Sequence, residues 1–463
     1  MYQEGKIGYP VWIICGSILI LLAASSLRHK LFQSTAFDLG IFDQAVYLIS
    51  EGKEPVTTIQ GFHILGDHAA WIFYPLALLY KLYPSVYWLF FVQAVALGIA
   101  ALPIWYLSLQ AGLKESQAIA IMIAYLLYPL VFNANLFDFH PEVIAVPLLL
   151  LSVLAARSGK IWRFCLSIIA VLGCKAVLSL TIAALGFWLI FFEKRRLYGA
   201  IALGAGVSWF LIATQVIIPH FSGAEAGAVG RYSYLGDSVL GIAKNLVLQP
   251  QLILGKIFSL DNLGYLILLL APIIWGISLR ALTSLVPGIP CLALNILADY
   301  QPQKDLIHQY SLPLLPFLIL TVISTLAGGK GWLQHRRAII LWSLVTFVSL
   351  AKFTHFGGKY LESVDTWQDT KQAIAQIQTR DPVYTTAQIA PHLTNREIIY
   401  FTNETATPVN LDNFNYVLLN ARHPGWASSQ AFANKLVSQL QSNQNFQAKV
   451  QNNDVYLFVK KSS

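Results

Sequence analysis

Apolar residues along this chain fall into runs of roughly 16–22, divided by short polar stretches, from near residue 10 to near residue 352. A hydrocarbon core about 30 Å thick needs about 20 apolar residues in helical form, so runs of this length read as transmembrane helices. They cover residues 10–27, 86–110, 117–133, 141–156, 161–174, 177–192, 197–218, 262–279, 281–297, 310–327 and 338–352. Residues 69–83, with Pro75 in the middle and Lys81 near the end, admit two readings, a full span or a helix lying at the interface. The positive-inside rule selects the second. Leaving 69–83 out of the count puts Arg157, Lys160 and Arg163, then Lys194, Arg195 and Arg196, then Lys330, Arg336 and Arg337 on the inner side. The pattern predicts a mostly α, polytopic membrane helix bundle of about eleven spans with its N-terminus inside.

From about residue 355 the period changes. Residues 363–378 read as an amphipathic helix, 382–386, 397–402 and 416–420 as strands, and 428–441 as a second helix. Residues 446–450 and 454–459 read as a closing hairpin around Asn452-Asn453. The expected division is a transmembrane domain over 1–354 and a small extracytoplasmic α/β domain over 355–463. That domain carries no GxGxxG or P-loop, and its default role is a structural cap.

Composition sharpens the class. Of 463 residues, 56% are hydrophobic and 12% charged, with a mean hydropathy of +0.58, where a soluble chain has about 25% charged residues. A net charge of +8 would suggest nucleic acid in a soluble protein, but the basic residues lie in short loops between apolar runs, which is an orientation signal. Membrane lipids, and no nucleic acid, are the expected partners. Cys15, Cys165, Cys174 and Cys291 sit in apolar runs without metal or CxxC spacing and read as small buried apolar residues. Residues 11–24 resemble a signal peptide, but no A-x-A-type site follows, so they read as a retained first helix.

The same parity gathers the polar loops on the outer face, where chemistry is expected. The first holds Phe37-Asp38-Leu39-Gly40-Ile41-Phe42-Asp43-Gln44. On one helix, residues five apart point about 140° from each other, so Asp38 and Asp43 do not pair. Asp38 reads as the start of a short helix, and the bland alternative makes it an N-cap and Asp43 a solvated surface residue. His63 and Gly66-Asp67-His68 close the loop. Asp138, His140 and Glu142 alternate; in extended backbone they would share a face and suit a divalent cation. They equally suit a helix start with Pro141 near N1. Lys175 is a lone cation at the outer end of a helix pair. Arg231-Tyr232 and the Lys304–Tyr310 stretch with His308 and Tyr310 complete the set, and Arg and Lys at this depth suit a phosphate. No Ser-His-Asp, Cys-His or HExxH arrangement is present.

F-D-L-G-I-F-D-Q, the later D-H, D-F-H-P-E, R-Y-x-Y-L-G, H-Q-Y-x-L-P-x-x-P and the tail motif A-P-H-L-T-N-R-E-x-I-Y together resemble an uncharacterised bacterial multi-pass membrane family. That family is grouped with the GT-C superfamily of polyprenyl-phosphate-sugar-dependent glycosyltransferases, and the likeness spans nearly the whole chain. The resemblance implies a GT-C-like fold in the bacterial inner membrane, active on its extracytoplasmic face. It implies an inverting transfer from a lipid-linked sugar donor to a glycan, lipid or protein acceptor. Asp38 matches the acidic catalytic position best and Asp43 second. Asp138, His140 and Glu142 become candidates for a divalent cation, Mg or Mn. His68, Lys175, Arg231, Tyr232, His308 and Tyr310 become candidates for substrate binding. Two departures stand out. Lys175-Ala176-Val177 replaces an expected K-E-D, and Ala69-Ala70-Trp71 replaces a Ser-Pro-type sequence. The alternatives are a transporter or an inactive protein that binds lipid-linked glycans.

Overall fold

The computed structural model describes residues 8–461, most of them in helices. Among the described residues, five helices are long and apolar enough to cross a membrane: Gly8–Lys30, Tyr87–Gln110, Glu115–Phe137, Arg196–Ser222 and Leu279–Leu297. Two bent pairs, Pro250–Ile257 with Leu260–Leu270 and Arg336–Leu350 with Lys352–Leu361, raise the number to seven. Several other expected spans form shorter apolar helices, such as Ile161–Leu172, Leu178–Phe191 and Leu315–Ala327. The stretch 69–83 yields the ten-residue helix Phe73–Leu82, about 15 Å long and too short to cross alone. The apolar helices expose large side chains, Leu19, Ile20, Trp162, Leu166, Leu211, Val216 and Leu341 among them. Such surface demands lipid, and the chain is an integral membrane protein.

The contacts divide the chain into two compact units. Among the described residues the helical unit comprises 8–23, 65–72 and 91–352; the mixed unit comprises 24–64, 73–90 and 353–461. Within the helical unit, helix Leu178–Phe191 packs on Arg196–Ile212 through Gly186, Gly199 and Gly206, small residues that let backbones approach. Buried amides tie other segments. Asn133 Nδ2 donates to the Leu306 and Leu350 carbonyls at 2.8 and 3.2 Å while its Oδ1 accepts from Lys352 N–H at 2.8 Å. Cys174 and Cys291 are buried as expected, but Cys165 is half-buried and Cys15 is exposed on its helix.

The mixed unit is built on a five-stranded sheet: β1 (Val383–Thr385), β2 (Ile399–Phe401), β3 (Tyr416–Asn420), β4 (Phe446–Asn452) and β5 (Val455–Lys460). The order is β2-β1-β3-β5-β4, with β1 parallel to β2 and β3, and β5 antiparallel to β3 and β4. Alternation along β3 explains the two faces. Val417 and Leu419 join Leu436, Val437 and Leu440 of helix Gln430–Ser442 on one side. Leu418 joins Ala373 of helix Trp367–Ala375 on the other. Helix Trp367–Ala375 is shorter than the expected 363–378 because 3-10 turns precede it. The hairpin turn falls on Asn453 and Asp454, with φ of 45° and 62°, one residue later than expected. Two positive φ values are what a two-residue I′ turn requires.

Candidate functional site

In the helical unit the polar candidates come together around Tyr310. Lys175 Nζ donates to Glu142 Oε1 at 2.6 Å, and both side chains are largely buried, at 12% and 4% exposure. Glu142 opens helix Glu142–Arg157 behind Pro141 at the cap, so the helix-start reading of this stretch is the one observed. Its second oxygen, Oε2, is buried without a hydrogen-bond partner among the described residues. The Lys175 ammonium also lies 5.8 Å from the Tyr310 ring centroid. Arg231 approaches the same ring at 5.0 Å and the Tyr300 ring at 4.4 Å. Its guanidinium donates to Gln303 Oε1 at 3.0 Å and to the Tyr310 hydroxyl at 3.2 Å. Among the described residues no carboxylate pairs with it; its partners are neutral. An arginine held by neutral groups and aromatic faces keeps its charge for an incoming anion.

Histidines border the cluster. His308 Nδ1 lies 2.7 Å from Asp305 Oδ2, and its ring meets Phe137 edge-on at 4.3 Å. Phe137 in turn stacks on His140 at 5.4 Å. His68 lies against Asp67, with Nε2 3.4 Å from the carboxylate. Burial holds the His68 imidazole below the usual range, against the pull of Asp67, so the ring is neutral at pH 7. Tyr232 is nearly buried and donates to the Leu294 carbonyl at 3.1 Å, while accepting from Gln303 Nε2 at 3.2 Å. It props Gln303, which grips Arg231. Gln303 and Tyr300 are members of this set that sequence reasoning passed over. Neutral residues carry no charge signal, and only the fold brings them to Arg231.

Asp138, His140 and Glu142 were candidates for a divalent cation. As arranged they do not form a cage. Glu142 is engaged by Lys175, and among the described residues no three His, Cys, Asp or Glu side chains come together to hold a metal ion. Asp138 caps its helix with φ 109° and ψ 171°, a region almost confined to glycine.

The departures from the family pattern lie against each other. Ala176 is buried and its N–H donates to the His68 carbonyl at 2.8 Å. Ile72 N–H bonds the Gly173 carbonyl at 3.0 Å, and Ala69 and Ala176 share one apolar cluster. A Cβ on Gly173 would meet the Trp71 indole at 2.5–2.6 Å, so this position has room only for glycine. A carboxylate at 176 would stand in that apolar cluster at a large desolvation cost.

The two acids of the first loop, in the mixed unit, have different surroundings. Asp38 is half-buried and lies outside any regular helix, with φ 63° and ψ −86°. The helix starts only at Ile41, so Asp38 is neither its first residue nor its N-cap. This is the geometry of a γ-turn, rare and strained for a residue with a Cβ, at about 1–3 kcal/mol. Strain of this kind clusters at functional sites.

Asp43 is 1% exposed and accepts from the Tyr80 and Thr394 hydroxyls. Its neighbour Gln44 donates to the Glu397 carbonyl at 2.9 Å and accepts from Thr58 N–H at 3.0 Å. The first-loop motif and the tail motif are thus parts of one packed structure. Burial pushes the Asp43 carboxyl up to about 6, against its two hydroxyl donors. A raised carboxyl binds its proton more tightly folded than unfolded, so its contribution to stability is present below about 3.8 and is lost as pH rises through about 6. The difference amounts to about 3 kcal/mol at pH 7. Asp43→Asn keeps the shape without the charge and is expected to match or exceed wild-type thermal stability at pH 7.5. Asp43→Ala, which leaves two buried hydroxyls without an acceptor, is expected to lose roughly 2–4 kcal/mol. Melting curves at pH 5 and 7.5 check both; equal losses for the two variants would refute this account.

Residues 28–457 match the family model DUF2079, described as a predicted membrane protein. No curated protein matches the sequence. Among solved structures the chain is similar to ArnT from Cupriavidus metallidurans bound to undecaprenyl phosphate, at 13% identity and TM-score 0.53, covering 99% of each chain. It is also similar to the apo state of the same protein, at 12% identity and TM-score 0.54, covering 97% of each. At such identity the likeness establishes the fold, over the full length of both chains.

Proposed function

We propose that this chain, which belongs to the DUF2079 family of predicted membrane proteins, is a GT-C-like glycosyltransferase that moves a sugar from a polyprenyl-phosphate donor to an extracytoplasmic acceptor. The observation that carries the reading is Arg231, which has no acidic partner among the described residues and shares the Tyr310 ring with Lys175. Two cations flanking one aromatic ring suit a phosphate monoester or diester. The fold neighbour bound to undecaprenyl phosphate supports a lipid phosphate as that group.

In the proposed reaction, Asp38 takes the proton of the acceptor hydroxyl as its oxygen attacks the anomeric carbon. The bond from that carbon to the phosphate oxygen breaks, and the electron pair leaves with the polyprenyl phosphate. One base suffices for an inverting displacement, which suits a single strained Asp38 beside an Asp43 held inside the fold. Eleven spans with the N-terminus inside remain the topology proposed from the loop charges, and the bacterial inner membrane the location that the family resemblance implies.

Undecaprenyl phosphate binding to the protein in nanodiscs tests the anion site. Wild type is expected to bind it, and Arg231→Met to weaken binding by at least about tenfold, the effect of losing one charge-assisted bond pair. Equal binding by the two proteins would overturn the role given to Arg231.

A further inference from the structure

The sheet of the mixed unit carries a crevice that the transferase reading does not use. In the order β2-β1-β3, the chain leaves β1 toward one edge and returns on its other side, so a topological switch point lies between β1 and β3. In open α/β sheets the crevice outside the carboxyl ends of the strands at such a point is where ligands bind. Here β1 ends at Thr385, the parallel β3 ends at Asn420, and the residues just beyond both ends line a cavity of about 260 Å³. That is below the roughly 300–1,000 Å³ of drug-sized sites and suits a smaller molecule.

The lining is rich in neutral hydrogen-bonding groups: Thr366, Thr370, Thr386, Gln388 and Asn420. Asn420 is held in place, donating to Thr366 Oγ1 at 2.8 Å and accepting from His423 N–H at 2.9 Å. Thr386 is fully buried, and among the described residues its hydroxyl finds no hydrogen-bond partner; neither does Gln388 Oε1. Buried polar groups left this way call for a partner. The cations at the crevice are already compensated. Arg422 bonds Asp365 at 3.0 Å and Asp454 at 2.9 Å, and His423 Nε2 lies 2.7 Å from Asp365. A carboxylate, Glu362, also lines it, so an anion is disfavoured. At the lip, Gly425 takes φ 92°, which a side chain would oppose, and the next residue, Trp426, is 59% exposed. Phe37 and Phe401 flank its ring at 5.7 and 6.2 Å.

Hydroxyl and amide groups behind an exposed indole are the complement of a sugar ring, which offers hydroxyls at its edge and C–H groups on its face. We infer that this crevice is a binding site for one uncharged saccharide residue. The inference does not depend on the transferase reading, because it requires neither donor nor Asp38.

The test uses the full chain in nanodiscs, free of sugar-based detergent. The probes are glucose, galactose and N-acetylglucosamine, with glucuronate and inorganic phosphate as anionic comparisons. Saturation-transfer NMR titrations give the affinities. At least one neutral sugar is expected to bind saturably, and Trp426→Ala to weaken it about tenfold or more. Thr386→Val, which replaces an unpartnered hydroxyl by a methyl of similar size, is expected to weaken it about tenfold without lowering the thermal midpoint. Absence of saturable binding by every neutral sugar, preferential binding of glucuronate or phosphate, or wild-type affinity in both variants would each overturn the inference.

Discussion

Asp38→Asn is expected to lower sugar transfer by about 10²–10⁴-fold, the range associated with a positioned general base, while expression and thermal stability stay at wild-type levels. The substitution keeps the shape of the side chain and removes its negative charge and its ability to take a proton. The backbone at Asp38, with φ 63° and ψ −86°, is flanked by two hydrogen bonds that do not use its side chain. Thr35 Oγ1 donates to the Phe37 carbonyl at 2.8 Å, and Ala36 N–H to the Ala387 carbonyl at 2.7 Å, both independent of the Asp38 side chain. Asp43→Asn supplies the contrast: the same chemical change, five residues on, is expected to leave transfer within about tenfold of wild type, because Asp43 is occupied by Tyr80 and Thr394. Rates with saturating donor separate the two. If Asp43→Asn abolished transfer and Asp38→Asn did not, the roles would be reversed.

Lys175→Met is expected to be the most destabilising single change in the helical unit. It leaves the Glu142 carboxylate buried, with Oε2 already lacking a partner and Oε1 losing the ammonium. Removing one partner of a buried pair costs about 3–5 kcal/mol. The double variant Glu142→Gln with Lys175→Met removes both charges and is expected to regain most of that stability. It should still bind undecaprenyl phosphate more weakly than wild type, through loss of the Lys175 ammonium as a donor beside Tyr310 and not through net charge, which the two changes together leave the same. Thermal melting and lipid-phosphate binding on the two variants separate the contributions. A double variant that recovers stability and also binds like wild type would confine Lys175 to a structural role.

Much of the architecture was legible because its signals are local. Period-2 alternation in Tyr416–Asn420 predicts two sheet faces, and both are covered by helices that the 3.6-residue period predicts. Apolar runs announce the membrane, although several form helices shorter than a full span, because Pro and Gly break runs that hydropathy alone joins. The different surroundings of Asp38 and Asp43 were not legible from helical rotation, since Asp38 stands in a kink before the helix begins. Nor was the occupation of Asp43, whose partner Thr394 lies 351 residues away. The motif around Thr394 was visible as a motif; that it answers the first loop is a tertiary fact. The alternating Asp138, His140 and Glu142 suggested one face because alternate residues of a strand share one, but a helix cap and a helix start separate them. Lys175 with Glu142 and Arg231 with Tyr310 were each named singly from the sequence; their convergence depends on packing among distant helices.

Transfer of a labelled sugar from a panel of polyprenyl-phosphate sugars by the purified protein in nanodiscs tests the central claim most directly, with wild type and Asp38→Asn side by side. The predicted result is release of polyprenyl phosphate and a labelled product with at least one donor for wild type, and neither for Asp38→Asn. Equal turnover by the two proteins, or tight binding of every donor by wild type without release of polyprenyl phosphate from any, would contradict it.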